Sequence, residues 1–372
     1  MANHWSEILF VACCAVALIQ LFYYIFFFAR LAFLRKSEKA YTQEHPVSVI
    51  ICARDEASNL NRNLPGTLLQ SYKTSFEVIV VNDNSQDESR YLLEGMHKEF
   101  RHLHVVELKQ EAMLIPGKKF PLSMGIKTAK HEILLLTDAD CIPATENWIQ
   151  KMQEAFTDDK EIVLGYGAYK KHKGILNVLI RFEAFHTGLQ YLSYALAGIP
   201  YMGVGRNLAY KKDVFFRNKG FASHNHIPSG DDDLFINMAA TSTNTTVVLD
   251  KDSFTLSEPK KTWGSWYRQK NRHFTAGKFY KPLHRFLLGL YALSHFLFWP
   301  LCIATALLYD WRYATAIFSL RLVVQAVIWK KSMDRLDESN LWPWFILLDI
   351  WTSFYYLIFM PALWKSPKAS WK

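Results

Sequence analysis

The stretch EILLLTDADC, residues 132–141, joins an apolar run to two aspartates separated by one alanine. Its apolar part, Glu132–Thr137, is the last of four β-branched or leucine-rich runs spaced by roughly 25 to 30 residues, after Val47–Cys52, Phe76–Val81 and Leu103–Val106. Polar, helix-compatible stretches separate the runs, so the pattern predicts an α/β domain with a mostly parallel sheet buried on both faces. Such sheets bind ligands beyond the carboxyl ends of their strands, which directs attention to the residues that follow each run.

Charged and polar residues follow three of the four predicted strands. They are residues 53–56 (ARDE), 82–85 (NDNS) and 138–140 (DAD), which we expect to share one edge of the sheet. No Gly-x-Gly-x-x-Gly follows the first strand, and the chain contains no Gly-Lys-Ser/Thr phosphate loop. These absences argue against dinucleotide-dependent oxidoreductases and P-loop ATPases. Other side chains must hold any phosphate at this edge.

Asp138 and Asp140 form the most specific of these patterns. Side chains two residues apart on an extended segment point the same way, so both carboxylates are expected to face one divalent cation, Mg²⁺ or Mn²⁺. Water and phosphate oxygens would complete the coordination shell, and the cation would neutralise a departing diphosphate. The alternative interpretation is an ordinary solvated turn.

The apolar residues are concentrated near the two ends of the chain. Half of the 372 residues are hydrophobic, 15% are aromatic and only 21% are charged. Four runs are candidates for crossing a bilayer core of about 30 Å, and they are Ile8–Ala29, Phe286–Leu308, Tyr313–Trp329 and Leu341–Leu363. Arg321 lies near the middle of the third run, where a cation is costly unless it pairs or reaches the interface. An interfacial helix is therefore the alternative for that run.

These runs predict an N-terminal anchor (1–39), a soluble domain (40–285) and a C-terminal membrane region of about three helices (286–372). The first run is followed by Arg30, Arg35, Lys36 and Lys39. The positive-inside rule therefore predicts an integral inner- or plasma-membrane protein with a cytoplasmic domain. Four crossings would place outside the basic tail that contains Lys365, Lys368 and Lys372, against the rule. An interfacial C-terminal segment is the alternative.

The net charge of +9 fits nucleic acid, anionic lipid or a phosphorylated small molecule as a partner. The positive residues cluster beside the membrane segments rather than along one soluble helix or an aromatic sheet face. Nucleic acid is therefore not an expected partner, whereas the membrane is.

Six ordered motifs lie between Val47 and Phe274: VSVIICARDEASNL, VIVVNDNSQDES, GKKFPLSMGI, LLLTDADC, SGDDDLF and QKNRH. Together they resemble the motifs of the family 2 glycosyltransferases, and in particular those of the membrane-anchored members. The resemblance implies the GT-A fold, a nucleotide-sugar donor and transfer with inversion at the sugar. Three positions depart from the family pattern, because Asp55 and Ser123 stand where Asn is usual and His273 stands where Trp is usual.

The resemblance also implies roles for individual residues. Contacts with the nucleotide-sugar are expected from Arg54, Glu56, Asp83, Lys118 and Asp138. Within that set Asp83 would contact the base and Lys118 the diphosphate. Metal contacts are expected from Asp138 and Asp140, and contacts with the acceptor and the diphosphate from Gln269, Arg272 and His273. The alternative for the last cluster is a juxtamembrane amphipathic helix.

An inverting transfer needs a carboxylate that accepts the proton of the acceptor hydroxyl while the diphosphate leaves. The triplet Asp231-Asp232-Asp233 supplies the candidates, and mutual repulsion should raise the pKa of at least one of them. The match to the family's acidic motif favours Asp232 as the base, with Asp231 as the next candidate. The alternative is a helix N-terminus, where acidic residues suit the helix dipole.

These observations predict a metal-dependent inverting glycosyltransferase of cell-envelope glycan biosynthesis that acts on a lipid-linked, glycan or other membrane-proximal acceptor. A processive polysaccharide synthase is one alternative, although the C-terminal runs leave little material for a translocation channel. A non-catalytic membrane scaffold with a degenerate transferase fold is the other. The intact Asp83, Asp138, Asp140 and Asp232 argue against the scaffold.

Overall fold

The computed structural model describes residues 2–35, 44–109, 117–157 and 159–364. Its strands are β1 (Val47–Ala53), β2 (Phe76–Asp83), β3 (Leu103–Leu108), β4 (Ile133–Asp138), β5 (Cys141–Pro143), β6 (Ile162–Leu164), β7 (Gly167–Tyr169), β8 (Leu208–Lys211), β9 (Thr245–Val247) and β10 (Thr255–Ser257). Its α-helices are α1 (Ala2–Phe22), α2 (Ala29–Ala32), α3 (Ala57–Leu68), α4 (Ser89–Glu99), α5 (Lys119–Thr128), α6 (Trp148–Gln153), α7 (Ile175–Leu196), α8 (Lys212–Arg217), α9 (Asp233–Ala239), α10 (Trp263–Phe274), α11 (Pro282–Leu308), α12 (Trp311–Arg335) and α13 (Phe345–Phe359). Shorter elements are a π-helix at Tyr23–Phe28 and 3-10 turns at Ala222–His224, Lys251–Ser253, Gly277–Phe279, Ser339–Trp344 and Met360–Trp364. Five of the basic residues used to predict the membrane orientation lie outside the described residues, namely Lys36, Lys39, Lys365, Lys368 and Lys372.

The central sheet has seven strands in the order β3-β2-β1-β4-β8-β6-β9. The four predicted strands form its parallel part, β3 to β4, and this prediction is confirmed. Alternate residues of β1 enter hydrophobic clusters on opposite faces of the sheet, Ile50 with Leu122 of α5 and Val49 with Leu60 of α3. β8 runs antiparallel to both of its neighbours, so the sheet is mixed beyond β4.

The carboxyl ends of β1, β2 and β4 lie side by side. Cys52 pairs with Asp138 across one ladder, and Ala53 pairs with Asn82 across the other. After β4 the chain turns through Asp140 into β5, which belongs to a second sheet with the order β5-β10-β7. The DAD turn is therefore held between two sheets.

Four helical segments are long and apolar enough to cross a membrane, and they are His4–Ala32, Pro282–Leu308, Trp311–Arg335 and Ser339–Trp364. Each contains one of the four apolar runs found in the sequence. α7 lies between the sheet and these helices, because Phe182 packs on Trp329 of α12 and Tyr194 stacks on Phe27 of the π-helix. The sheet domain and the candidate membrane helices thus share one hydrophobic cluster.

The cation inside the third membrane segment is paired. Arg321 and Asp349 of α13 are both completely buried, with Arg321 Nη2 at 2.8 Å from Asp349 Oδ1. Arg321 Nε also donates to Gln20 Oε1 of α1 at 2.7 Å, and Gln325 Nε2 donates to the same aspartate at 2.7 Å. His295 of α11 lies 3.4 Å from Arg321 Nη2 and 3.3 Å from Asp349 Oδ1, so the network joins all four segments. It offsets the penalty that made Arg321 an obstacle to crossing.

Leucine in place of Asp349 is expected to destabilise the membrane region by about 2.5 to 3.5 kcal/mol, because Arg321 would be left as an unpaired cation among apolar helices. Unfolding of the purified protein in detergent micelles measures the change. The double variant Arg321→Met/Asp349→Leu should recover most of the lost stability, since it removes both charges. Equal stability of Asp349→Leu and the unaltered protein would contradict this account.

Candidate active site

The loops after β1 and β2 are joined at the predicted nucleotide edge. Asp55 has a φ of 52°, and its carboxylate accepts a hydrogen bond from the backbone N–H of Gln86 at 2.7 Å. Arg54 Nη1 lies 3.9 Å from Asp83 Oδ2, so two of the predicted donor residues meet here. The backbone N–H of Glu56 donates to Ser89 Oγ at 3.2 Å. These hydrogen bonds and the ion pair hold the loops after β1 and β2 together at this edge of the sheet.

Lys118 and Asp138 form an ion pair at the end of β4. Lys118 Nζ donates to Asp138 Oδ1. Burial alone would raise the pKa of Asp138, but Lys118 holds that pKa below its usual value, helped by the charges of Arg206 and Arg272. Burial likewise opposes the charge of Lys118, yet Asp138 and Asp231 raise the pKa of Lys118 well above its usual value. Lys118 therefore stays charged and faces both the DAD turn and the acidic triplet.

The DAD turn has the chemistry of a divalent-cation site. One ligand atom from each of Asp138, Asp140 and Cys141 lies within 4.8 Å of the others. Burial and the nearby charge of Asp138 raise the pKa of Asp140, and the charge of Arg206 opposes that shift. Burial also raises the pKa of Cys141 well above its usual value, and its Sγ lies 2.9 Å from Ser257 Oγ. Cys141 is thus a packed thiol, and the two carboxylates are the ligands suited to Mg²⁺ or Mn²⁺.

The acidic triplet stands at the start of α9. Asp232 Oδ2 accepts from the backbone N–H of Gly205 and Oδ1 from that of Asp233, both at 2.7 Å. Burial, followed by the charges of Asp231 and Asp233, raises the pKa of Asp232 to about 8. Asp232 is also the N-cap of α9, so the helix-terminus interpretation holds for this residue. Its raised pKa keeps it a candidate base at the same time.

Asp233, the third member of the triplet, is held by hydrogen bonds from Tyr280 and from the backbone of α9. Asp233 Oδ2 accepts from the hydroxyl of Tyr280 at 2.7 Å, and Asp233 Oδ1 accepts from the backbone N–H of Leu234 at 2.8 Å. Burial raises the pKa of Asp233 to about 6. Asp233 is thus a buried structural acid, which leaves Asp231 and Asp232 as the candidates for proton transfer.

α10 carries the predicted acceptor cluster and contacts both the site and the membrane helices. Arg272 is near enough to Asp138 for its charge to lower the pKa of that buried carboxyl. His273 is exposed, and Gln269 Oε1 is buried without a hydrogen-bond partner among the described residues. Trp266 of the same helix packs edge-on against Phe359, with ring centroids 5.6 Å apart. α10 therefore contacts α13 through Trp266 and brings Arg272 near Asp138.

A buried ion pair fixes α10 to α7. Lys270 Nζ contacts Glu183 Oε2, and both side chains are almost completely buried. The sequence reasoning missed this pair, because the two residues lie far apart in the chain and each alone looks like an ordinary surface charge.

Arg206 is a second residue that the site contains and that we did not predict. Its guanidinium carbon lies 4.4 Å above the ring of Tyr169, and its charge acts on both Asp138 and Asp140. A Cβ at Gly167 would lie 3.0 Å from Arg206 Cβ, so the glycine leaves room for this arginine. Its signal in the sequence is a cation within residues 203–207 (GVGRN), next to two glycines.

Part of the chain is similar to known glycosyltransferases. Residues 48–216 match the family model "Glycosyl transferase family 2". Glycosyltransferase AglE of Haloferax volcanii is 30% identical over 107 residues, which are 28% of this chain and 33% of that protein. The β-monoglucosyldiacylglycerol synthase of Trichormus variabilis is 30% identical over 103 residues, which are 27% of this chain and 21% of that protein. The chain thus matches about a third or less of the length of these two relatives.

The fold also has a solved counterpart. The mannosyltransferase PcManGT from Pyrobaculum calidifontis, in complex with GDP-Man and Mn²⁺, superposes with a TM-score of 0.58 at 17% identity. The superposition covers 94% of this chain and 99% of that chain, so the likeness of fold extends beyond the sheet domain. The chain therefore contains a family 2 glycosyltransferase domain with the GT-A fold, matched over residues 48–216.

Proposed function

We propose that the protein transfers a sugar, with inversion, from a nucleotide-diphosphate sugar to a lipid-linked or membrane-proximal acceptor. One observation carries the proposal: the DAD turn is surrounded by Lys118, Arg206 and Arg272, and the last of these lies on a helix that packs against membrane helix α13. The three cationic side chains would suit the diphosphate, and the two carboxylates would suit its divalent metal ion. The packing of α10 suits an acceptor presented by the bilayer.

The donor would bind along the carboxyl edge of the sheet. Arg54, Glu56 and Asp83 line the part of that edge expected to hold the nucleotide, and Lys118 would exchange its contact with Asp138 for the diphosphate. Asp138 and Asp140 would hold Mg²⁺ or Mn²⁺, which supplies charge neutralisation for the leaving diphosphate. PcManGT, which shares the fold, is solved with GDP-Man and Mn²⁺, and this supports the donor class and the metal.

The transfer itself needs one proton acceptor. In the proposed reaction the acceptor oxygen forms a bond to the anomeric carbon on the face opposite the diphosphate, and the bond to the diphosphate oxygen breaks. The acceptor proton passes to a carboxylate of the triplet. Asp232 is the first candidate, because its pKa of about 8 is raised toward neutrality. Asp231 is the second.

The acceptor would approach along the exposed face of α10. Trp263 and Tyr267 are 50% and 42% exposed there, next to the membrane helices. Aromatic side chains favour the headgroup region of a bilayer, so the start of α10 would lie at the membrane surface, with Arg272 and His273 further along the same helix. The likeness to a synthase named for a glucosyldiacylglycerol supports a lipid acceptor. A cytoplasmic position of the domain rests on the positive-inside rule.

A donor screen tests the proposed function. Purified protein in nanodiscs is supplied with single nucleotide-sugars and membrane lipid extract, and release of the nucleoside diphosphate is followed with and without EDTA. We expect one donor to be accepted, release to require the lipid extract, and EDTA to abolish it. Addition of one sugar per acceptor supports the proposal, whereas a long polymer would favour the synthase. No release from any donor would contradict a transferase.

Serine in place of both Trp263 and Tyr267 is expected to raise the apparent KM for a lipid acceptor several-fold. The change would remove the proposed aromatic contact with the bilayer, together with the packing of Tyr267 on Phe359 at 5.5 Å, and leaves the charged groups of the site unsubstituted. Nucleotide affinity should be unchanged. Tyr91→Ser is the matched control, since Tyr91 is 70% exposed on α4, away from the membrane helices. An unchanged acceptor KM would remove this face from the acceptor path.

A further inference from the structure

Lys119 is the first residue of α5 and is completely buried, next to Lys118 of the donor site. Its Nζ donates to the carbonyl oxygens of His224, Ile227 and Ser229 at 2.6, 2.6 and 2.8 Å. An ammonium group has three N–H donors, so these bonds use all of them. Because a buried ammonium without partners is very costly, the segment that supplies the carbonyls is held in place around Lys119.

Gly117 touches the same segment. Its φ is 78°, and a Cβ at this position would lie 2.2 Å from the carbonyl oxygen of Pro228. No side chain fits there without displacing that backbone. Gly117 and Lys119 therefore both bind residues 224–230, while Lys118 between them points to Asp138.

Residues 224–230 lead directly into the acidic triplet. His224 lies with Nε2 at 3.1 Å from the carbonyl oxygen of Gly230, which precedes Asp231. Burial lowers the pKa of Lys119 to about 8, and the charges of Asp231, Asp232 and Asp233 oppose that shift. The Lys119 ammonium is thus close enough for all three carboxylates to influence its pKa.

We propose that Lys119 is a positioning residue for sugar transfer, which holds residues 224–230 so that the carboxylates of Asp231 and Asp232 face the donor proposed to contact Lys118. The inference rests on the proposed function of the same site. Lys118 and Lys119 are adjacent, so one backbone segment joins the contact with the diphosphate to the placement of the base. Lys119 itself touches no substrate in this arrangement, because its donors are used by the loop.

The test is Lys119→Met in the full chain in nanodiscs, assayed with the donor that the screen identifies. Methionine keeps the apolar stem and removes the charge and the three donors. We expect kcat to fall by about 10- to 100-fold, the scale of a small misplacement of a reacting group. The donor KM should stay within about twofold, since Lys118, Asp138 and Asp140 are untouched. Hydrogen exchange of residues 224–233 should become faster. Lys127→Met, an exposed change of the same type on α5, is the matched control.

The possible outcomes separate the two proposals. An unaltered protein that transfers no sugar contradicts the proposed function. An active unaltered protein whose Lys119→Met variant keeps its kcat, or loses donor affinity and kcat in proportion, overturns the positioning role. If Lys119→Met does not fold, Gly117→Ala tests the same segment through the Pro228 contact. It should lower kcat with little change in donor KM, and an unchanged kcat would again overturn the inference.

Discussion

Alanine in place of Asp140 is expected to reduce sugar transfer by about 10²- to 10³-fold, the range found when one electrostatic contact to developing charge is removed. Asp140 shares the turn with Asp138, and burial and that neighbouring charge raise its pKa. A divalent cation would allow both carboxylates to ionise. With one carboxylate gone the proposed cation would bind more weakly, and less of the charge on the leaving diphosphate would be neutralised.

Initial rates measured across a titration of Mg²⁺ and Mn²⁺ check this expectation, because a weakened site should need more metal. Asp213→Ala is the control, since Asp213 is exposed and pairs only with surface groups of the described chain such as Arg217. That variant should keep the rate within about twofold, in line with the small energies of surface ion pairs. Full turnover of Asp140→Ala at low metal concentration would exclude Asp140 from a metal site.

The parallel half of the sheet and its functional edge could be predicted because both follow from local patterns. Buried parallel strands read as continuous apolar runs, and the residues after them must share an edge. The pairing of Cys52 with Asp138 and of Ala53 with Asn82 confirms the sheet that this pattern predicts. The short strands β5 to β10 were not predicted, since three- or four-residue strands carry too little pattern to be distinguished from loops.

The parts of the site that were missed depend on contacts between distant residues. In the sequence Lys119 is one lysine of a basic stretch. Only the fold shows that its ammonium donates to the backbone carbonyls of His224 and Ser229. Arg206 points into the site because Gly167 leaves space for it. The sequence shows that Arg321 lies within an apolar run, but it does not identify Asp349 as its partner. Each of these side chains is placed by tertiary packing, which periodicity and spacing do not encode.

Asparagine in place of Asp232 is expected to lower kcat by about 10²- to 10⁴-fold, the usual contribution of a general base. Nucleotide affinity should remain, because the donor residues lie on other elements. The amide oxygen can keep the cap bond from the backbone N–H of Asp233, because Asn caps a helix as well as Asp does. The amide NH₂ would then face the backbone N–H of Gly205, and the lost hydrogen bond should cost about 1 to 3 kcal/mol. Parallel measurement of unfolding in detergent separates that cost from the loss of transfer.

The pH dependence supplies a second check. Burial raises the pKa of Asp232 to about 8, so a base at this position should give a rate that rises with pH up to about 8. Stability should change in the opposite direction. The folded protein keeps the proton after the unfolded chain has lost it near pH 4, so the stabilising contribution falls as pH rises from about 4 to 8. Asp232→Asn should flatten that slope in the unfolding data.

Comparison with Asp231→Asn decides between the two candidate bases. Both oxygens of Asp232 accept backbone N–H groups, whereas the charge of Asp231 acts on Lys118 across the donor site. If Asp232→Asn loses transfer and Asp231→Asn keeps most of it, Asp232 is the base. If Asp231→Asn alone loses transfer, the base is Asp231 and Asp232 acts as the cap of α9. In either case a base at the start of α9 requires residues 224–230 in place, which is why the Lys119 and Asp232 variants should share the loss of kcat and differ in their pH profiles.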